Sequence, residues 1–385
     1  WDIYGAGFDY ASGTVTNPTG VALCTVPGDQ TEPATMATNG SVVFTVWMDP
    51  READYDIYGA RYDVELGARL EPEGVLLSTS ADTQSSPAVA YYKGVQNPFY
   101  EVVWEDFRNG SWEIYGARVD AQGEPLDVSA TAIATGPGDQ RLPTVGALPA
   151  GAAQLGALFV AWQDTRNLAA TGADIYGTPL DNRGRPTVAN GLPLCTAQGF
   201  QGRPAGACGT SSCLVAWEDQ RNDGSAVDIY GARVDGTGVL DPEGRMIAQE
   251  VNAQLAPAVA YGRASFSNVD YFLVVWEDES SDAGDIRGRR LVPATGNIVE
   301  RTPLAIAPLA GVQKEPAVSF GGANFLVAWE EEAGPTSLIA GARVRLDGTV
   351  LGPATFGLTK GEPTIGEHLP ALASDGLAHH LLTYI

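Results

Sequence analysis

An all-β ring of seven four-stranded antiparallel sheets is the fold class this sequence predicts, and three observations carry that expectation. A single unit recurs along the whole chain: Trp47, Trp104, Trp162, Trp217, Trp276 and Trp329, with Tyr384 as a seventh, follow one another at intervals of 57, 58, 55, 59, 53 and 55 residues. Each unit holds short apolar runs broken by turn residues, with no helical periodicity. The chain opens in the middle of one unit and closes in the middle of another, so its two ends complement each other. Four short antiparallel strands repeated about an axis are the blades of a β-propeller.

Within a unit the strands can be placed in order. Strand A opens at a proline before a short Ala/Val run, as in Pro87-Ala88-Val89-Ala90-Tyr91, and Pro33, Pro143, Pro204, Pro257, Pro316 and Pro370 are its counterparts. Strand B is the apolar run from Tyr100 to Trp104. The acidic pair Glu105-Asp106 and the turn signal Asn109-Gly110 follow, and strand C begins at Ile114 and runs to Val119, so B and C read as a hairpin. Strand D is expected between Leu126 and Ala134. Residues 370–385 supply strands A and B, and residues 1–26 supply C and D, so one blade is shared by the termini and no sheet edge is left open. The expectation is one domain over residues 1–385.

Composition excludes several function classes. With 47 Asp+Glu against 23 Lys+Arg, the net charge of -24 repels phosphate backbones and anionic lipid heads, so neither nucleic acid nor a membrane surface is an expected partner. No apolar stretch approaches the roughly 20 residues that span a bilayer. Because the chain begins at Trp1-Asp2-Ile3-Tyr4, already inside a unit, removal of an upstream segment is expected. Cys208 and Cys213 flank Gly209-Thr210-Ser211-Ser212 and face each other across a tight hairpin, where a disulfide is one of two outcomes. Cys24 and Cys195 occupy a slot held by Ser78, Ala134, Ala248 and Ala307 elsewhere, and read as buried thiols.

The order Pro-Ala-Val-Ala, apolar-Trp-Glu-Asp-x-Arg-Asn-Gly, Asp-Ile-Tyr resembles the repeats of TolB-type propellers and related bacterial and archaeal surface proteins. The likeness is fullest over Trp217-Glu218-Asp219-Gln220-Arg221-Asn222-Asp223-Gly224 with Asp228-Ile229-Tyr230, and over residues 104–115. Strand C departs from that pattern by continuing Gly-Ala-Arg, which predicts more polar blade edges. The resemblance implies an extracellular, cell-surface or periplasmic binding or display module, with a protein or glycan ligand on the face that carries the D–A and B–C loops. Two other readings stay open: a carbohydrate-active enzyme, glycosidase or lyase, with its site at the channel mouth, and a structural segment of a larger surface protein. A deep pocket with two close carboxylates of unlike environment marks the enzyme, and a shallow face with aromatic or arginine projections marks the binder.

Differences between units point to contacts and to a site. Arg51, Arg108, Arg166 and Arg221 occur in the same units as Tyr58, Tyr115, Tyr176 and Tyr230, and both members vanish together where Ser280 pairs with Arg287 and Ala333 with Ala340. A guanidinium lying across the tyrosine ring is expected. Gln30, Gln84, Gln140, Gln201, Gln254 and Gln313, with Glu367 in the seventh place, precede strand A and form the proposed collar of the channel mouth. Arg141, Arg203, Lys314 and His368 beside them complete the candidate binding set, because varied residues on a fixed frame are where ligands bind. No cofactor is expected. Calcium held by Asp219, Asn222, Asp223 and Asp228 is the competing reading, disfavoured by an arginine inside the same loop. His379 and His380 are expected in a solvated A–B turn. Acidic residues repeated in register read as structural, whereas a catalytic pair should break the repeat.

Overall fold

The computed structural model describes residues 1–9, 14–31, 36–51, 54–78, 80–94, 97–148, 156–222, 226–264, 269–280, 284–333, 336–357, 368–374 and 379–385. They form seven antiparallel sheets, each ordered A-B-C-D from the axis outwards. Blade 3 is representative, with A at Gln84–Tyr92, B at Phe99–Asp106, C at Glu113–Asp120 and D at Thr131–Ala134. Strand D is thus shorter than the sequence suggests. Blades 2 and 5 split it into two pieces, Ala68–Arg69 with Val75–Leu76 and Gly238–Val239 with Arg245–Ala248.

Blade 1 joins the two ends of the chain. Ile3–Asp9 (strand C) pairs with His379–Tyr384 (strand B) from Tyr4 opposite Tyr384 to Asp9 opposite His379. Thr14–Cys24 is its strand D and Ala371–Ser374 its strand A. The A strands of successive blades are neighbours all the way round the axis.

The apolar core lies between blades, in seven clusters that each draw on two adjacent sheets. Trp104 of blade 3 packs with Phe44, Val46 and Ile57 of blade 2, and Trp217 of blade 5 with Phe159 and Ile175 of blade 4. The six repeat tryptophans, Trp47, Trp104, Trp162, Trp217, Trp276 and Trp329, are fully buried. Two glycine positions follow from this packing. A Cβ at Gly74, Gly191 or Gly244 would sit 2.8, 2.4 or 2.5 Å from the indole of Trp47, Trp162 or Trp217, and each of these glycines has positive φ. In strand C, a Cβ at Gly59 or Gly177 would strike the ring of Phe44 or Phe159 at 2.6 or 2.7 Å.

The Gly-Ala-Arg departure has a structural purpose on the face opposite the collar. Arg61, Arg233 and Arg290 each pair with a carboxylate of their own C–D segment, Glu71, Asp241 and Glu300. Each also donates to a backbone carbonyl of the next blade, Ala121, Pro293 and Leu346 respectively. A charged fork therefore ties neighbouring blades where an apolar strand would only pack.

Cys208 and Cys213 form a disulfide across the A–B hairpin of blade 5, while Cys24 and Cys195 are free and buried. Burial pushes the Cys195 thiol up to about 12, although Arg221 Nη2 donates to its sulfur at 3.0 Å. The histidine expectation needs correction. His379 and His380 begin strand B of blade 1, and His380 is fully buried, its Nδ1 2.7 Å from Ser319 Oγ of blade 7. Strand alternation sends one ring out and the next into the blade interface.

Candidate functional site at the channel mouth

The B–C turns of blades 2 to 6 are held by one buried carboxylate apiece, Asp49, Asp106, Asp164, Asp219 and Asp278. Asp219 accepts Trp217 Nε1 at 2.8 Å, the Arg221 amide at 2.9 Å, and Arg221 Nε and Nη2 at 2.9 and 2.5 Å. Asp106 and Asp164 repeat this arrangement in blades 3 and 4. The guanidinium carbon then lies 3.9 Å from the ring centre of Tyr58, Tyr115 and Tyr176, and 4.1 Å from that of Tyr230, so the clamp inferred from paired residues exists. Blade 6 replaces rather than loses it: Arg287, standing at the tyrosine position, brings its Nε to 2.8 Å from Asp278.

This wiring occupies the groups of the calcium reading. Asp219 is saturated by arginine and indole donors, and Asn222 Nδ2 donates to Asp228 Oδ2 at 2.6 Å and to Tyr230 at 3.1 Å. Asp223 lies outside the described residues, among which no group of three metal-binding side chains occurs.

The proposed collar divides into two sets. Gln30, Gln84, Gln140, Gln201, Gln254 and Gln313 are all fully buried. Most of their amides serve their own loops: Gln140 Nε2 donates to Pro137 O and Gly138 O, Gln201 Nε2 to Gly199 O, and Gln254 Nε2 to Asn252 O, whereas Gln313 Nε2 donates to Glu331 Oε1 at 3.0 Å. Buried amides bonded to loop carbonyls hold the frame and present nothing to the channel. Arg141, Arg203, Lys314 and His368 retain between a third and nearly half of their side-chain exposure, and of these four Arg203 lines the mouth. Glu367 lies outside the described residues.

A different ring lines the mouth, one residue further along. Ser86, Leu142, Arg203, Ala256, Glu315 and Leu369, each immediately before the strand A proline, surround a cavity of about 350 Å³ together with the prolines that follow. All six are in the left-handed region, with φ between 48° and 55°. Strand A slips register there in blades 3 to 7, between Ser85 and Ala88 in blade 3 and at the matching residues of blades 4 to 7. The bulge turns the side chain before the proline into the channel.

In blades 4, 6 and 7 the amide exposed by the bulge is met by the preceding blade. The residue after the tryptophan supplies the acceptor: Glu105 takes the Leu142 amide at 2.6 Å, Glu218 the Ala256 amide at 2.9 Å, and Glu277 the Glu315 amide. These carboxylates, with Glu330, are buried. Their cations differ. Arg141 Nη2 is 3.0 Å from Glu105, and Lys314 and His368 stand 3.3 and 2.8 Å from Glu330. Arg203 forms an ion pair with Glu315 two blades away at 2.8 Å, passing over Ala256, and lies 3.6 Å from Glu218.

Glu277 has no cation of its own. Burial, then repulsion from Glu315, pushes its carboxyl up to about 7, and burial also raises Glu218. Blades 5 to 7 therefore break the repeat, placing a buried carboxyl that holds its proton more tightly than usual beside an arginine-paired one. Opposite them, the position two before the strand C isoleucine carries Trp1, Tyr55 and Trp112 in three successive blades, against Ala173, Val227, Gly284 and Ser337 in the others. Trp1 is 49% exposed and meets the His368 ring edge-on at 5.8 Å, and Arg141 lies 4.7 Å from the Trp112 ring centre. Sequence reading passed over this aromatic arc, although its confinement to three consecutive units was a visible signal.

No protein-family model and no curated protein sequence matches the chain. Solved structures do match its fold. An α-L-arabinanase of Penicillium chrysogenum, solved with arabinobiose, is similar over 83% of this chain and 96% of its own, with a TM-score of 0.52 and 12% identity. The catalytic domain of an α-L-arabinofuranosidase from Coprinopsis cinerea is similar over 80% and 94%, at a TM-score of 0.37 and 14% identity. A prolyl endopeptidase is similar over 90% of this chain and 44% of its own, at a TM-score of 0.45 and 14% identity. The chain is an all-β, seven-bladed propeller with structural neighbours among glycoside hydrolases. Among the described residues no helix is long and apolar enough to cross a membrane.

Proposed function

We propose that the protein is a carbohydrate-active enzyme that hydrolyses a glycosidic bond at the channel mouth. One observation carries this reading: Glu277 and Glu315 are neighbouring carboxyls in unlike surroundings, Glu277 buried with its carboxyl raised to about 7 and Glu315 paired with Arg203. Glycoside hydrolysis needs such a pair, an acid to protonate the leaving oxygen and a carboxylate to face the cationic sugar. Glu277 bears the proton at and below neutral pH. Glu315, paired with Arg203, faces the positive charge that develops on the ring. Trp1, Tyr55 and Trp112 offer apolar faces for further sugar units, and Arg141, Lys314 and His368 offer donors to their hydroxyls. The buried glutamines hold the loops beneath. Fold-level analogy with the Penicillium arabinanase points to arabinan as the first substrate to try. The Cys208–Cys213 disulfide supports work outside the cytoplasm.

The test is sugar release from arabinan, aryl arabinosides and a panel of other glycans. Turnover by the wild type and a fall of about 100- to 10,000-fold in folded E277Q support the assignment. Equal rates in both refute it. A second reading, a glycan- or protein-binding module of the TolB type, is favoured by Arg203 occupying Glu315 and by Arg141 standing on Trp112. Saturable glycan binding with no turnover selects that reading.

A further inference from the structure

The residue directly after each buried glutamine is Thr31, Ser85, Arg141, Gly202, Leu255 or Lys314, and His368 holds that place in the seventh unit, after Glu367. Register places it across from the residue after the tryptophan: Ser85 faces Glu105, Arg141 faces Gln163, Leu255 faces Glu277 and Lys314 faces Glu330. From here a long side chain has two carboxylates in reach. Lys314 turns to Glu330 of its own blade at 3.3 Å, whereas Arg141 and His368 turn to the preceding blade, reaching Glu105 at 3.0 Å and Glu330 at 2.8 Å. The position thus supplies the cation of the carboxylate ring.

We propose that Leu255 is the positioning residue of the site, keeping Glu277 a proton donor by withholding the cation that the same repeat position gives Glu105 and Glu330. The inference rests on the enzymatic reading for its consequence, not for its geometry. Leu255 stands between Glu277 of its own blade and Glu218 of the preceding one, and offers neither a charge nor a hydrogen. What else faces Glu277 does not replace the missing cation. Glu315 and Glu279 repel its charge, and Arg203, which attracts it, is committed to Glu315. Lys314 on the next blade is taken by Glu330 and Glu332. Both carboxyls beside Leu255 are held above the usual glutamate range.

The experiment is a carbon-detected NMR titration of the glutamate carboxyls, with E277Q to assign the resonance, in the wild type, L255K, L255R and the volume-matched L255M. An added cation within about 4–6 Å lowers a carboxyl by about one unit or more, so the Glu277 midpoint falls in L255K and L255R and stays in L255M. The reciprocal change, R141L, raises the Glu105 midpoint. A folded L255R with an unmoved Glu277 overturns the proposal, and so does R141L with an unmoved Glu105, which decides alone if L255R does not fold. The titration needs no turnover. A moved midpoint without hydrolysis of any glycan leaves Leu255 in this role and removes the enzymatic reading, whereas an alkaline limb of the rate profile that moves with the midpoint supports both.

Discussion

Replacing Asp219 by alanine tests the physical account of the blades most directly. The carboxylate is fully buried and accepts four donors: the Trp217 indole, the Arg221 amide, and two guanidinium nitrogens. Alanine leaves the indole and the amide without acceptors, at roughly 1–2 kcal/mol each. The guanidinium is 17% exposed and regains water in part, so its loss adds about 1 kcal/mol. The total is about 4 kcal/mol, which at ~2.1 cal/mol/K per residue lowers Tm by about 5 °C for this length. Blade 6 provides an internal control, because Trp276 Nε1 makes no hydrogen bond and Asp278 serves only the Ser280 amide and Arg287. Asp278→Ala should therefore cost about half as much. Thermal and urea unfolding of both variants is the assay. A D219A protein within about 1 kcal/mol of wild type, or a D278A protein hurt as badly, would refute the reasoning.

A double-mutant cycle of R166A with Y176A should return a coupling of about 0.5–1 kcal/mol in urea unfolding, since the guanidinium stacks on the ring but is partly solvated. Ala256→Gly should raise Tm, because the left-handed conformation costs alanine about 1 kcal/mol and glycine keeps the amide bond to Glu218; a lower Tm would speak against strain there. Reduction of Cys208–Cys213 should cost at most about 2 kcal/mol, because the loop it closes is so short, as scans with and without reductant would record. For Glu277 the folded state holds its proton more tightly than the unfolded chain does. That stabilisation is complete below the ordinary glutamate range and is lost as pH rises through about 7, so wild type should lose Tm relative to E277Q between pH 5 and 8.

The parts of the site differ in how far the chain alone reveals them. The Arg–Tyr clamp was legible because seven copies act as their own alignment, and blade 6 shows the limit of that method. Arg287 reads as a loss when positions are compared singly, but the structure makes it a substitute reaching the same carboxylate from strand C. The glutamines misled for a related reason. A polar residue repeated in a loop has the same appearance whether it faces solvent or satisfies carbonyls beneath it, and burial decides which. The residues before the prolines were legible only as variable ones. Proline favours extended backbone in the residue before it, so a left-handed residue there runs against local preference and is held by the blade behind.

The sequence by itself determined the number of blades, the order of strands within each and the closure of the ring by its two ends, because all of these are written as local pattern and repeated. Tertiary structure alone decided which residues face the channel. Bulge conformation, the reach of Arg203 over a neighbouring blade to Glu315, and the commitment of that arginine to Glu315 rather than to Glu277 depend on how one sheet is set against the next. Electrostatics in a buried ring is governed by distances between residues from different repeats, and no single repeat contains that information.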